Sequence, residues 1–322
     1  MRHSRLRGAI RTRCGVTTSS DNQPYPKGTE IRGKWNGKHY RLERLLGLGS
    51  NGQVYLATAG NRVGCAVKIG HEAAELQGEV NILTSLDHSQ KQRSPFLLDV
   101  DDGILEGKKV PFYVMRYIAG IPVKAYLSEH GSHWLGVVGY RLLERLTELH
   151  EAGWVFGDIK SDNVLVGEYG RVELVDFGGA SAIGRSVRQF TEIYDRGYWS
   201  AGSRIADPAY DHFAVAMLWL HALDGKRLIQ LTKTLLPQNR HPRELLKLVG
   251  SNPKLLPLEG WMEKALTGRF SDTREAGREW REAVRISQKP KSPGDRVPGW
   301  MAGLLGAAIV LSVSVAAIWL FQ

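Results

Sequence analysis

The fold is decided by Val155-Phe-Gly-Asp-Ile-Lys-Ser-Asp-Asn-Val-Leu-Val166, followed shortly by Val175-Asp-Phe-Gly178. The apolar run Val164–Val166 predicts a short strand, Gly167 and Gly170 a turn, and Arg171–Val175 a second strand. Asp158 and Asn163 flank the first strand, and Asp176 follows the second directly. This spacing gathers two carboxylates and one amide at the same end of a small hairpin. Such hard oxygens suit Mg²⁺, which takes one or two carboxylates and completes its shell with phosphate oxygens and water.

Working outward, Trp35-Asn-Gly-Lys38 carries the Asn-Gly pair of a tight hairpin turn, and Tyr40–Leu46 alternates like a strand. Gly47-Leu-Gly-Ser-Asn-Gly-Gln-Val54 then lies between two strand patterns, not between a strand and a helix. That context argues against a dinucleotide-binding fold, in which the last glycine opens a helix. Val63–Ile69 reads as a further strand with a charge, Lys68, inside its apolar run. Glu72–Leu86 has helical periodicity, with Leu76, Val80 and Leu83 on one face and Glu79 beside it. Farther on, Leu135, Val138, Leu142, Leu146 and Leu149 recur at three- and four-residue steps and predict a helix over Trp134–Ala152. A second apolar helix is expected over Tyr210–Leu223, and others near 240–250, 258–267 and 273–286.

The pattern Asp158-x-Lys160-x-x-Asn163, then Asp176-Phe-Gly178, with the Gly47–Val54 loop and Lys68 upstream, resembles the eukaryotic-type (Hanks-type) serine/threonine protein kinases of bacteria. The likeness covers roughly residues 30–286. It implies an α+β, bilobal kinase fold over residues 28–286, with a small β-rich N-lobe at about 28–118 and a larger α-helical C-lobe at about 119–286. It further implies ATP as phosphoryl donor and Mg²⁺ as the cation, with Mn²⁺ as an alternative. On this resemblance Asp158 is the catalytic base and Lys160 steadies the γ-phosphate. Lys68, paired with Glu79 (Glu75 in reserve), holds the α- and β-phosphates, and Asn163 and Asp176 hold the metal. Gly47, Gly49, Ser50, Asn51 and Gly52 would cover the phosphates. Val54, Ala66 and Leu165 would sandwich the adenine, Met115 would control the back pocket, and backbone groups of Arg116, Tyr117 and Ile118 would bond the adenine edge. Asp211 matches the aspartate that pins the catalytic loop from below.

Several residues depart from the family pattern. The usual His-Arg before the catalytic aspartate is Phe156-Gly157, which removes the docking site for an activation-loop phosphate. Phe156 is expected to stack on Phe177 and Leu83. The closing Ala-Pro-Glu reads Ser200-Ala-Gly202, which leaves Arg269 without its buried glutamate, and a customary threonine is Asp195. Ser186, Thr191 and Tyr194 read as exposed hydroxyls on a mobile segment. Residues Gly28–Gly37, the Phe-Gly-Asp loop and Tyr194–Trp199 narrow the likeness to the YabT-type, membrane-anchored kinases of spore-forming Bacilli. That resemblance implies a sporulation-associated kinase whose activity DNA stimulates.

Charge is unevenly distributed. The chain of 322 residues carries 43 Lys+Arg against 33 Asp+Glu, yet residues 41–260 are balanced. Residues 1–27 form a basic arm rich in arginine, expected to be disordered, and 287–298 a basic linker with three prolines. Such ends favour an anionic partner, either DNA or anionic lipid. No apolar stretch follows the first arginines, so a secretory signal is not expected. The two cysteines, Cys14 and Cys65, form no CxxC pair and fit a reducing compartment. Residues 299–321 contain no charge, and a helix of that length spans the roughly 30 Å bilayer core. Trp300 and Trp319 fall near its ends. The basic linker then places the kinase body in the cytoplasm and the C-terminus outside, in a single-pass bacterial membrane protein. Gly299, Gly303 and Ala307 are spaced for helix pairing, hence a homodimer. Two other readings compete with a kinase acting on protein substrates. One is a small-molecule phosphotransferase; the other is a pseudokinase scaffold that binds DNA or anionic lipid.

Overall fold

The computed structural model describes residues 23–49, 51–60, 62–89, 96–188 and 191–288. The chain divides into two compact units between Ala119 and Gly120. The expected transmembrane span at 299–321, the 289–298 part of the linker and residues 1–22 of the arm lie outside the described residues. Among those described, no helix is long and apolar enough to cross a membrane.

The first unit is built on six strands: β1 (Glu30–Arg32), β2 (His39–Gly49), β3 (Gly52–Ala59), β4 (Arg62–Gly70), β5 (Leu97–Leu105) and β6 (Lys108–Arg116). They pair antiparallel in the order β1-β2-β3-β4-β6-β5. One helix, α1 (Ala73–Ser89), joins β4 to β5. Alternation along the strands sends Ile31, Tyr40, Leu42, Tyr55, Val67, Phe112 and Val114 into one core. Chain order begins before the expected start at Gly28. Tyr25 packs against this core and donates its backbone N–H to the Tyr55 hydroxyl at 2.8 Å.

The first hairpin is looser than the Asn-Gly pair suggested. Arg32 pairs with His39 and Gly33 N–H still bonds Lys38 C=O at 2.9 Å, so residues 34–37 form a four-residue loop in place of a two-residue turn. The buried Asp101 carboxylate accounts for it by accepting the backbone N–H groups of Trp35 and Asn36. The loop also bonds across to β5, with Gly33 bridged to Gly103 and Lys34 N–H donated to Asp102 C=O at 2.8 Å. A Cβ at Gly103 would fall 2.6 Å from Ile31 Cγ1, so this close approach requires glycine.

The second unit is mainly helical: α2 (Val123–His130), α3 (Leu135–Glu151), α4 (Pro208–Thr234), α5 (Pro242–Ser251), α6 (Glu259–Leu266) and α7 (Thr273–Gln288). Short strands carry the chemistry. They are β7 (Ile121–Pro122), β8 (Trp154–Val155), β9 (Val164–Val166), β10 (Val172–Leu174) and β11 (Ser181–Ala182), paired as β10-β9-β7 and β11-β8. All five leucine and valine positions singled out on α3 are buried. The indole of Trp280 on α7 lies over Gly139, where a Cβ would meet it at 2.1 Å, and donates to Gly136 C=O at 2.9 Å. The glycines of α3 thus make room for α7. Helix α4 runs past the expected end at Leu223 to Thr234, with one non-helical residue at Asp224. Asp207 caps it and Pro208 opens it, a pairing that favours helix initiation.

Candidate active site

In the first unit, the glycine stretch forms the turn between β2 and β3. Gly52 has φ +144°, and a Cβ there would lie 2.1 Å from Ile69 C=O, so the backbone tolerates no side chain. Gly47 and Gly49 end β2, Asn51 sits half-buried in the turn, and Ser50 lies outside the described residues. Cross-strand register sets Val54 opposite Lys68, Lys68 opposite Tyr113, and Ala66 opposite Met115. Paired residues share a face, so one wall of the sheet presents Val54, Ala66, Lys68, Tyr113 and Met115.

Lys68 Nζ stands 2.7 Å from both carboxylate oxygens of Glu79, and both side chains are nearly buried. An ion pair removed from water holds only when further hydrogen bonds complete it. The Tyr113 hydroxyl supplies one, donating to Glu79 Oε2 at 2.8 Å. Of the hinge N–H groups, Arg116 donates to Phe96 C=O and Tyr117 to Gly64 C=O. An adenine edge at the hinge would therefore meet the N–H of Ile118.

In the second unit, β9 and β10 form the expected hairpin, Val164–Val166 against Val172–Leu174. Asp158 is buried and held by three donors. Lys160 Nζ lies 2.5 Å from Oδ2, Asn163 Nδ2 3.1 Å from Oδ2, and Thr191 Oγ1 3.1 Å from Oδ1. Asn163 Nδ2 also donates to Asp158 C=O at 2.9 Å, which spends the amide's donor end and leaves Oδ1 for a cation. Val175 N–H bonds to Asn163 C=O at 3.0 Å, bringing Asp176 one residue from that contact. Asp176 has φ +63°, unusual outside glycine. Among the described residues no three His, Cys, Asp or Glu side chains are grouped to hold a metal. One carboxylate and one amide oxygen fit Mg²⁺ that takes its other ligands from phosphate and water. Leu165 is half-buried on β9, opposite Pro122 and Glu173.

The catalytic loop is fixed from beneath. Asp211, fully buried on α4, accepts Phe156 N–H at 2.7 Å and Gly157 N–H at 2.9 Å. Phe156 meets Phe177 edge to face, centroids 5.4 Å apart, and Leu83, which belongs to the first unit, is buried as well. Gly157 has φ +78°, and a Cβ on it would come within 2.7 Å of Gly179 C=O.

The segment between Asp176 and Asp211 corrects the reading of its hydroxyls. Ser186 is exposed, but Thr191 is half-buried on Asp158, and Tyr194 is buried with its hydroxyl 2.6 Å from His221 Nδ1. Burial pushes the Tyr194 phenol well above its ordinary pKa. Arg269 pairs at the surface with Glu263 at 2.5 Å. The anchoring role falls instead to two local pairs that sequence reasoning missed. Arg196 grips Asp207 through two bonds, at 2.8 and 2.7 Å. Asp195, fully buried, accepts from Arg204 Nε at 2.8 Å, from the Tyr210 hydroxyl, and from the N–H groups of Gly197 and Tyr198. Two arginines lying between two aspartates within thirteen residues were the available signal.

Residues 40–259 match the family model described as the protein kinase domain. The serine/threonine-protein kinase YabT of Bacillus subtilis is 38% identical over 271 residues, which is 83% of this chain and 78% of that protein. Among solved structures, vaccinia related kinase 3 superposes with a TM-score of 0.60 at 17% identity, covering 83% of this chain and 93% of the other. The Cydia pomonella granulovirus kinase PK-1 gives 0.56 at 15% identity, over 74% and 92%. At those identities the two structures speak to fold alone.

Proposed function

This chain belongs to the protein kinase family and is a serine/threonine protein kinase; from that premise we propose that it works from the membrane, held by residues 299–321, with its catalytic body in the cytoplasm. It phosphorylates itself and cytoplasmic proteins. The observation that carries the chemistry is the three-donor grip on Asp158. Lys160 and Asn163 both occupy Oδ2, so Oδ1, which among the described residues accepts from the rotatable Thr191 hydroxyl, is the oxygen left to take the proton of an incoming serine or threonine. Lys68, held by Glu79 and Tyr113, orients the α- and β-phosphates of ATP, and Lys160 steadies the γ-phosphate as charge shifts. Asn163 and Asp176 would hold Mg²⁺, which neutralises phosphate charge when bound. Phosphoryl transfer depends on such positioning more than on covalent help.

The arginine-rich arm and the basic linker support DNA as an activating partner, with anionic lipid as the other anionic surface that would serve. Association with sporulation belongs to the same proposal and draws on the resemblance to YabT-type kinases. The glycine spacing at 299–307 supports a homodimer. The test is transfer of labelled γ-phosphate by the full chain in nanodiscs, with Mg²⁺, at low and high salt, with and without duplex DNA. Transfer that DNA raises at low salt and that salt suppresses supports the whole reading. Transfer indifferent to DNA leaves the kinase and removes the DNA partner. Absence of transfer despite ATP binding favours the scaffold, because a scaffold needs no turnover.

A further inference from the structure

Asp211 reaches beyond the catalytic loop. Its Oδ2 lies 2.9 Å from His150 Nε2 on α3, His150 Nδ1 lies 2.6 Å from Thr273 Oγ1, and that hydroxyl lies 2.9 Å from His212 Nε2. All four side chains are buried. Thr273 stands in the first turn of α7, where Asp272 caps the helix through Glu275 N–H, so the threonine hydroxyl is not occupied as a cap.

The direction of every bond in this chain follows from what each atom is able to do. Asp211 already accepts two backbone N–H groups, so its carboxylate accepts again and His150 Nε2 must carry hydrogen. With that hydrogen on Nε2, the tautomer presents Nδ1 as its acceptor, and Thr273 donates its single hydrogen there. The threonine oxygen in turn accepts Nε2–H of His212. That assignment leaves His212 Nδ1 as a bare lone pair, and among the described residues this atom has no hydrogen-bond partner. The opposite polarity would place a hydrogen on Nδ1 and bury a donor without an acceptor, the costlier arrangement.

We propose that Thr273 is a positioning residue for phosphoryl transfer. Its hydroxyl fixes the Nε2–H tautomer of His150, which steadies Asp211 and through it the backbone at Phe156 and Gly157, the two residues before Asp158. The proposal rests on the reading of that loop as catalytic. Thr273 is remote in sequence, and it connects the start of the last described helix to the base that takes the proton.

The test compares Thr273→Val and Thr273→Ser in the full chain, with Asp158→Asn alongside. Valine keeps the shape and removes the hydroxyl, and kcat is expected to fall about tenfold with KM for ATP unchanged. Serine restores the hydroxyl and the rate. Nitrogen-15 spectra of histidine-labelled parent protein, assigned with His150→Gln and His212→Gln, should show hydrogen on Nε2 of both rings. A folded valine variant with parental kcat, or hydrogen on Nδ1 of His150 in the parent, overturns the proposal. The spectra decide it even where the valine chain fails to fold. Loss of transfer in Asp158→Asn beside a fully active Thr273→Val would refute this inference alone, whereas turnover by Asp158→Asn would remove the catalytic reading with it.

Discussion

Removing the Tyr113 hydroxyl isolates the hydrogen bond that completes the Lys68–Glu79 ion pair. Tyr113→Phe keeps ring and volume, so it opens no cavity and removes the bond to Glu79 Oε2 at 2.8 Å. A hydrogen bond to a charged acceptor contributes about 1.5–3 kcal/mol. The lower end applies, because Lys68 still holds both oxygens of Glu79 at 2.7 Å and no buried charge is left bare. A loss of about 1.5 kcal/mol raises the population of arrangements with Lys68 and Glu79 apart roughly tenfold. Helix α1 carries Glu79, so its backbone amides should exchange with deuterium about ten times faster through local opening. Exchange in α3 should stay at the parental rate. Combined with Glu79→Gln, which removes the charge that Tyr113 serves, the second change should cost much less than it does alone. Parental exchange throughout α1, or effects of the two substitutions that simply add, would refute the reasoning.

Asp158→Asn should fold, bind ATP with parental affinity and lose transfer, and a coupled assay with bound-nucleotide fluorescence separates those outcomes. Asp207→Ala removes the α4 cap at Tyr210 N–H and strips Arg196 of its bidentate partner. Because the Asp207 carboxylate is partly exposed, the combined loss should be about 2–3 kcal/mol by chemical unfolding, with Asp207→Asn milder. Burial first, and then neighbouring His150, hold the His212 imidazole down to about 4. The unfolded chain takes up that proton near pH 6.5. Stability present above that pH should therefore fall as pH drops toward 4, by up to about 3 kcal/mol. Unfolding midpoints measured across this range should show the decline, and His212→Gln should remove it.

The sequence exposed most of the catalytic geometry because that geometry is local. Asp158, Asn163 and Asp176 are set by one hairpin, and the partner of Lys68 lies on the next element, so spacing alone brings them into register. Leu135 to Leu149 declared α3 through periodicity. What escaped notice depends on tertiary contact. No pattern marks Tyr113 as a third member of the ion pair, since its register opposite Lys68 exists only once β4 and β6 have paired. Thr273 and His150 are far apart in the chain, and their bond follows from the packing of α7 on α3. The Asn-Gly hairpin departs from its local preference for a similar reason. A carboxylate from β5 claimed the loop N–H groups and outweighed the local turn preference. The hydroxyls of Thr191 and Tyr194 looked exposed because polarity was their only visible property.

Gly157 carries a consequence for how this enzyme could change over time. Where the general kinase pattern has an arginine, this backbone sits at φ +78° with Gly179 C=O 2.7 Å from any Cβ. Restoring the arginine by a single codon change would therefore meet both a strained backbone and a carbonyl in the way. Two peptide planes, one on each side of the contact, would have to move before the new side chain fitted. The local geometry thus blocks phosphate-gated control through this position unless the facing loop changes with it.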